Sequence, residues 1–253
     1  MGRDTSHVLT GMPVAPLIRG ANNIPEDGRL VVIANHYERT GLWMAWPALF
    51  VANCVYLRRG EDVHWIAIET WDTLRVFGVP ISRTWIRKVF KRAFGVWSMI
   101  GMPRQDDPAS TRALALRAAT QEVRAGHVIG IMPEGEVGST PELLPAREGS
   151  GAFLLLMAAA GARILPVGIY EENDRMVAHF GEPYELRAPR DIAKEERDAW
   201  IRTRVMCSIR DMLPSPLWGY YAQSSGAPDG AVPPHAPVAG GVTDPDSLRI
   251  TQR

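Results

Sequence analysis

Leu30-Val31-Val32-Ile33-Ala34-Asn35-His36 is the stretch on which the fold turns. Five consecutive apolar residues follow the turn signal Pro25-Glu-Asp-Gly28 and end abruptly in two polar ones. An apolar run without alternation reads as a strand buried on both faces, which is the habit of parallel sheets. The polar exit then lies at a strand end, where α/β sheets carry their chemistry.

The same alternation continues outward from this strand. A helical stretch runs from Gly41 to about Asn53, and Val63-His-Trp-Ile-Ala-Ile68 is a second strand. Trp85–Val96 has helical spacing. Pro108–Ala125 is an amphipathic helix that Asp107 or Ser110 is placed to cap. Val128–Met132 is a strand, Ser150–Ala160 an apolar helix ending near Gly161, and Arg163–Tyr170 and Met176–Phe180 two further strands. Ala193–Leu213 is a long amphipathic helix. The expected fold class is therefore α/β, with a mostly parallel central sheet covered by helices. The expected organisation is a flexible N-terminus (1–16), one domain (17–218) and a Gly- and Pro-rich disordered tail (222–253).

Bulk properties narrow the function. The 253 residues are 46% hydrophobic and 22% charged, as in a globular protein, and the formal net charge is zero. That balance argues against nucleic acid as a partner. Cys54 and Cys207 are too few for a disulfide scaffold, so a reducing compartment is expected. The histidines show no pair at metal-ligand spacing, so no metal is expected. Met1–Pro16 has no apolar core of the signal-peptide kind. The longest apolar run, Leu42–Leu57, has sixteen residues broken by Pro47 and Asn53. A spanning helix needs about 20.

Two strand-end loops concentrate reactive residues: Ala34-Asn35-His36-Tyr37-Glu38-Arg39-Thr40-Gly41 and Met132-Pro133-Glu134-Gly135-Glu136. A histidine leaving a buried strand with a carboxylate nearby is a candidate general base; the alternative is a histidine that only bonds its own turn. The order of motifs adds information. Asn35-His36 after a strand, Ile100-Gly-Met-Pro-Arg104, Ile131-Met-Pro-Glu-Gly135, Ile164-Leu-Pro-Val-Gly-Ile169 and Phe180-Gly-Glu-Pro183 occur in one sequence. That ordered set, over about residues 20 to 213, resembles the phospholipid and glycerol acyltransferase family.

The resemblance implies acyl transfer from acyl-CoA or acyl-carrier protein, as co-substrate, to a hydroxyl of a lysophospholipid or glycerol phosphate, with no further cofactor. It implies a cytoplasmic protein peripheral to a membrane surface. His36 takes the place of the general base, and backbone amides near Pro133–Gly135 that of oxyanion donors. Arg104, Glu134, Gly135 and Glu136 fall in the substrate-binding blocks, Arg104 as a phosphate ligand. Two positions depart from the family pattern. The aspartate of the His-x4-Asp motif is replaced by Gly41, and Glu136-Val137 stand where Thr-Arg is usual. A carboxylate to orient His36 must then come from Glu38, or from Glu134 or Glu136 across the site. Losing such a carboxylate from a comparable triad costs about 10⁴ in turnover, so a catalytically silent lipid-binding homologue is the alternative. No Gly-x-Ser-x-Gly elbow is present for a hydrolase.

Between Val79 and Arg104 lie Arg83, Arg87, Lys88, Lys91, Arg92 and Arg104 without one acidic residue, interleaved with Trp85, Phe90, Phe94 and Trp97. Such a segment is suited either to an anionic bilayer or to ordinary packing on the sheet.

Overall fold

The structure is a computed structural model that describes residues 15–38, 45–68, 75–76, 79–80, 92, 95, 97–103, 107–136, 138 and 140–224. The expected N-terminal segment, the helix over Trp85–Val96 and the tail thus lie outside the described residues, save for a few positions at their margins. Gly41, Arg104 and Val137 lie outside them too.

The described strands are β1 (Leu17–Arg19), β2 (Leu30–Ala34), β3 (Val63–Ile68), β4 (Arg75–Val76), β5 (Val79–Pro80), β6 (Ile100–Met102), β7 (Val128–Ile131), β8 (Arg163–Glu172) and β9 (Arg175–Phe180). The helices are α1 (Ala45–Arg59), α2 (Ala109–Ala125), α3 (Ser150–Ala159) and α4 (Arg197–Arg210). Seven strands form one sheet in the order β1-β9-β8-β2-β7-β3-β6, and β4 pairs with β5 apart from it. Every pairing in the large sheet is parallel except β8 with β9. Those two close a hairpin through Asn173 and Asp174, both at positive φ, the turn whose twist suits adjacent antiparallel strands.

β2 lies near the middle, between β8 and β7, and all five of its residues are buried. This is the outcome expected of an uninterrupted apolar run. From β2 the chain moves past the β7 slot to β3; from β7 it moves the other way, past β2, to β8. Right-handed crossovers in opposite directions put α1 on one face and α3 on the other. There α3 packs on both α2 and α4. Gly151 of α3 permits the approach to α4: a Cβ at this position would stand 2.3 Å from the Asp198 carbonyl oxygen.

One expectation about helix capping is corrected. Pro108 is the N-cap of α2, and no side chain caps it. Proline fixes the chain's entry angle, while the Asp107 carbonyl oxygen accepts a hydrogen bond from Arg112 Nη1. The last helix begins at Arg197 rather than Ala193, because residues 193–196 form a turn closed by the Glu196 N–H on the Ala193 oxygen. No helix among the described residues is long and apolar enough to cross a membrane.

Both cysteines are free and buried, and burial pushes both thiols above their ordinary pKa, Cys54 most strongly. Only the thiolate is nucleophilic. The folded chain should therefore leave both thiols unlabelled by an aromatic disulfide reagent at mildly alkaline pH, with two labelled per chain in denaturant. Rapid labelling of either in the native state would contradict this core.

Candidate active site

β2 and β7 are neighbours in parallel register, with Ile33 opposite Ile131. His36 and Glu134 each lie three residues beyond that pair, so the two loops leave the sheet side by side. Their following helices go to opposite faces, which makes this a topological switch point, the place where open α/β sheets bind ligands in a crevice beyond the carboxyl ends of their strands.

Glu134 is 2% exposed, and two backbone N–H groups bind its carboxylate. Oε2 accepts the N–H of His36 at 2.5 Å, and Oε1 accepts the N–H of Leu144 at 2.9 Å. Paired donors of this kind are what make an isolated buried carboxylate tolerable. The same Oε2 lies 3.4 Å from His36 Nδ1. That nitrogen is buried and the contact lacks hydrogen-bond alignment, so it is close in distance but off in angle. The His36 side chain is 16% exposed.

Asn35, immediately before the histidine, is buried and extends the ladder between β2 and β8 with its side chain. Nδ2 donates to the Ile169 oxygen at 2.9 Å and Oδ1 accepts the Ile169 N–H at 2.8 Å. A primary amide is the only common side chain that offers both a donor and an acceptor in this peptide-like arrangement. It holds the strand end rigid one residue before the ring. On the other side of His36, Tyr37 is buried and its hydroxyl meets Glu171 Oε2 at 3.3 Å.

The wall opposite β2 is the segment Leu143–Arg147, stitched from three directions. Pro133 accepts the Arg147 N–H, Leu143 exchanges backbone bonds with Leu217 and Tyr220, and the Tyr221 hydroxyl accepts the Ala146 N–H at 3.0 Å. Arg202 Nη1 donates to the Ala146 oxygen at 3.0 Å. Beyond it, Asp198 reaches from α4 to accept the N–H groups of Gly149 and Ala152 at the start of α3, where a carboxylate complements the helix dipole. Gly135 has a φ of 68°, and a Cβ there would fall 2.9 Å from Arg147 Cδ. The stem of Arg147 thus rests on the glycine next to Glu134. Its guanidinium forms no hydrogen bond or ion pair among the described residues.

Of the residues singled out from sequence, His36, Glu134 and Gly135 come together. Glu38 is half-buried and engages no other described residue by hydrogen bond or ion pair, and Glu136 is exposed. The Gly135 N–H is committed to the Met132 oxygen at 3.0 Å, so it closes the turn. Asn35 stood in the quoted motifs without a role of its own, and Arg147 was assigned none. The available signal for Asn35 was an amide following five buried apolar residues.

Asn35→Ala should cost about 2–6 kcal/mol of folding stability, since it strands two buried peptide groups at about 1–3 kcal/mol each. Asn35→Asp should not rescue it, because a carboxylate cannot donate to the Ile169 oxygen. Chemical denaturation of the three proteins checks both; a loss below about 0.5 kcal/mol in either would contradict the role.

The chain is similar in structure to the 1-acyl-sn-glycerophosphate (LPA) acyltransferase PlsC from Thermotoga maritima, at 19% sequence identity and a TM-score of 0.45, covering 81% of this chain and 73% of that one. A comparison with curated protein sequences gives no match. Residues 16–170, which contain β1, β2, both loops of the crevice and most of β8, match the family model described as Acyltransferase, and the chain belongs to that acyltransferase family.

Proposed function

We propose that the chain transfers a fatty acyl group from a thioester, acyl-CoA or acyl-carrier protein, to a hydroxyl of a lysophospholipid or glycerol phosphate. The observation that carries this reading is the convergence of His36 and buried Glu134 in the crevice between β2 and β7. Nε2 of His36, the nitrogen turned away from Glu134, takes the proton of the acceptor hydroxyl as its oxygen attacks the thioester carbonyl. The tetrahedral intermediate then collapses, the C–S bond breaks, and the imidazolium returns the proton to the departing thiolate. Glu134 stabilises the imidazolium through Nδ1, and so does the work of the aspartate that Gly41 replaces. The 3.4 Å contact needs only a small ring rotation, in keeping with catalytic hydrogen bonds that tighten when substrate binds.

The acceptor phosphate needs a cation, and Val137 stands where the family pattern has arginine. Arg147 supplies it: its stem lies over Gly135 beside the dyad, and its guanidinium has no carboxylate partner among the described residues. Arg104, two residues in sequence past Met102 at the end of β6, is a second phosphate ligand. The basic run before it, ending in exposed Trp97, docks the protein on an anionic membrane surface in the cytoplasm.

One observation favours a second reading. Nδ1 and Glu134 are unaligned, and with Gly41 in the motif that suits a lipid-binding homologue without turnover. Release of free CoA from acyl-CoA in the presence of lysophospholipid or glycerol phosphate separates the two readings. Binding to anionic liposomes with no CoA release for any acceptor would sink the enzymatic one.

With turnover present, His36→Ala should lower it by about 10²–10⁴-fold and Glu134→Gln by about 10² or more, while Glu38→Gln stays near wild type. A large loss in Glu38→Gln alone would reassign the orienting carboxylate. Arg147→Ala should raise KM for a phosphate-bearing acceptor and leave kcat nearly unchanged, as expected for uniform binding; an unaltered KM would remove Arg147 from the site.

A further inference from the structure

At the opposite edge of the sheet, away from the crevice, three side chains from distant parts of the sequence meet. His64 is the second residue of β3, Glu122 lies in the last turn of α2, and His127 immediately precedes β7. His64 Nδ1 is 3.0 Å from Glu122 Oε2, and His127 Nε2 is 3.8 Å from the same oxygen. The two imidazoles stack at 4.6 Å between centroids, 22° from parallel. One donor atom from each residue falls within 4.8 Å of the other two. We propose that His64, Glu122 and His127 form a binding site for a late first-row divalent cation of the zinc type.

Geometry supports this more than an ordinary ion pair does. Zinc bonds of about 2.0–2.1 Å to nitrogen and oxygen set tetrahedral donor atoms about 3.3 Å apart, a value that lies between the two measured contacts. Two imidazoles and one carboxylate are a donor set for zinc and its neighbours rather than for magnesium or calcium. The backbone also holds the donors in place before any ion arrives. α2 ends in a Schellman motif: Gly126 is left-handed at φ 95°, its N–H bonds the Val123 oxygen, and the His127 N–H bonds the Glu122 oxygen. That pair of bonds fixes His127 relative to Glu122. The third donor is fixed by the sheet, because His64 sits opposite Ile129, two residues after His127.

Charge and access point the same way. A carboxylate in the last turn of a helix faces the negative end of the dipole, an unfavourable place that a bound cation would relieve. The His64 side chain is 14% exposed, Glu122 38% and His127 51%, so an ion enters from the His127 side and keeps a water in its fourth position. The site would clamp α2 to β3 and β7. It takes no part in the acyl transfer, since His64 and His127 lie at the amino ends of strands whose carboxyl ends face the crevice. No metal was expected from sequence because the two histidines are far apart in the chain and meet only through β3–β7 pairing.

The test is calorimetric titration of the full-length, tag-free chain with Zn²⁺ after treatment with chelator, joined to visible absorption with Co²⁺ and a thermal melt. Expected are one Zn²⁺ per chain, tetrahedral-type Co²⁺ bands, a raised Tm and no competition from Mg²⁺. His64→Ala, His127→Ala and Glu122→Gln should each weaken Zn²⁺ by about tenfold or more. His36→Ala, at the other edge, should bind as wild type. Absence of stoichiometric binding overturns the site, as does undiminished affinity in a His64→Ala/His127→Ala double variant with a native circular dichroism spectrum. Loss of binding in His36→Ala would also overturn it, by moving the ion to the crevice.

Discussion

A carboxylate shut away from water must be met by donors, and around Glu134 that requirement organises the whole carboxyl edge of the sheet. The side chain leaves the end of β7 and takes one N–H from the end of β2 and one from the Leu143–Arg147 wall. Either bond alone would leave an oxygen short of partners in a buried setting, a deficit of several kcal/mol for a charged group. The loops are therefore not free to drift apart. The wall is in turn tied to Leu217, Tyr220 and Tyr221 after α4, so the last described segment of the chain helps hold a site built by much earlier loops.

Topology explains why such a device is needed here. At a switch point the chain departs from two adjacent strands toward opposite faces, and nothing in the sheet ladder itself joins the departing loops. Asn35 ties one of them to β8 by completing the ladder with an amide side chain, and Glu134 ties it to β7. His36 stands between the two ties. Its backbone is held by groups on both sides while part of its ring stays open, which is the preorganisation that general-base chemistry demands.

Much of this frame was legible in the residues. Strands β2, β7, β8 and β9 and helices α2 and α3 announce themselves through unbroken apolar runs or amphipathic spacing, because their partners bury them in ways composition reflects. β1 and β6 do not: each has three residues, and their pairing is decided by the strand beside them. The cap of α2 was misjudged because proline at the helix entrance makes a side-chain cap dispensable. Within the site, motif order brought His36 and Glu134 into view but not which carboxylate faces the ring. That depends on the register of two strands nearly a hundred residues apart in the chain. The same holds for His64 and His127, and for Arg147, whose proximity to Gly135 is a matter of loop stitching rather than spacing.

In the proposed mechanism the orienting carboxylate moves from the histidine's own loop to the neighbouring strand, which has a physical consequence. An aspartate five residues after the histidine would answer only to the ring and could be tuned for it alone. Glu134 has three duties at one oxygen pair: the His36 amide, the Leu144 amide and the imidazole. Its position is set by the two amides, which are the stronger constraints in the absence of substrate, and this accounts for the off-angle contact with Nδ1. Chemistry at the ring is thereby coupled to the integrity of the β2–β7 seam. A change that loosens the wall at Leu144 alters the electrostatics at His36 without touching it, and the crevice works, or fails, as one unit with the fold that forms it.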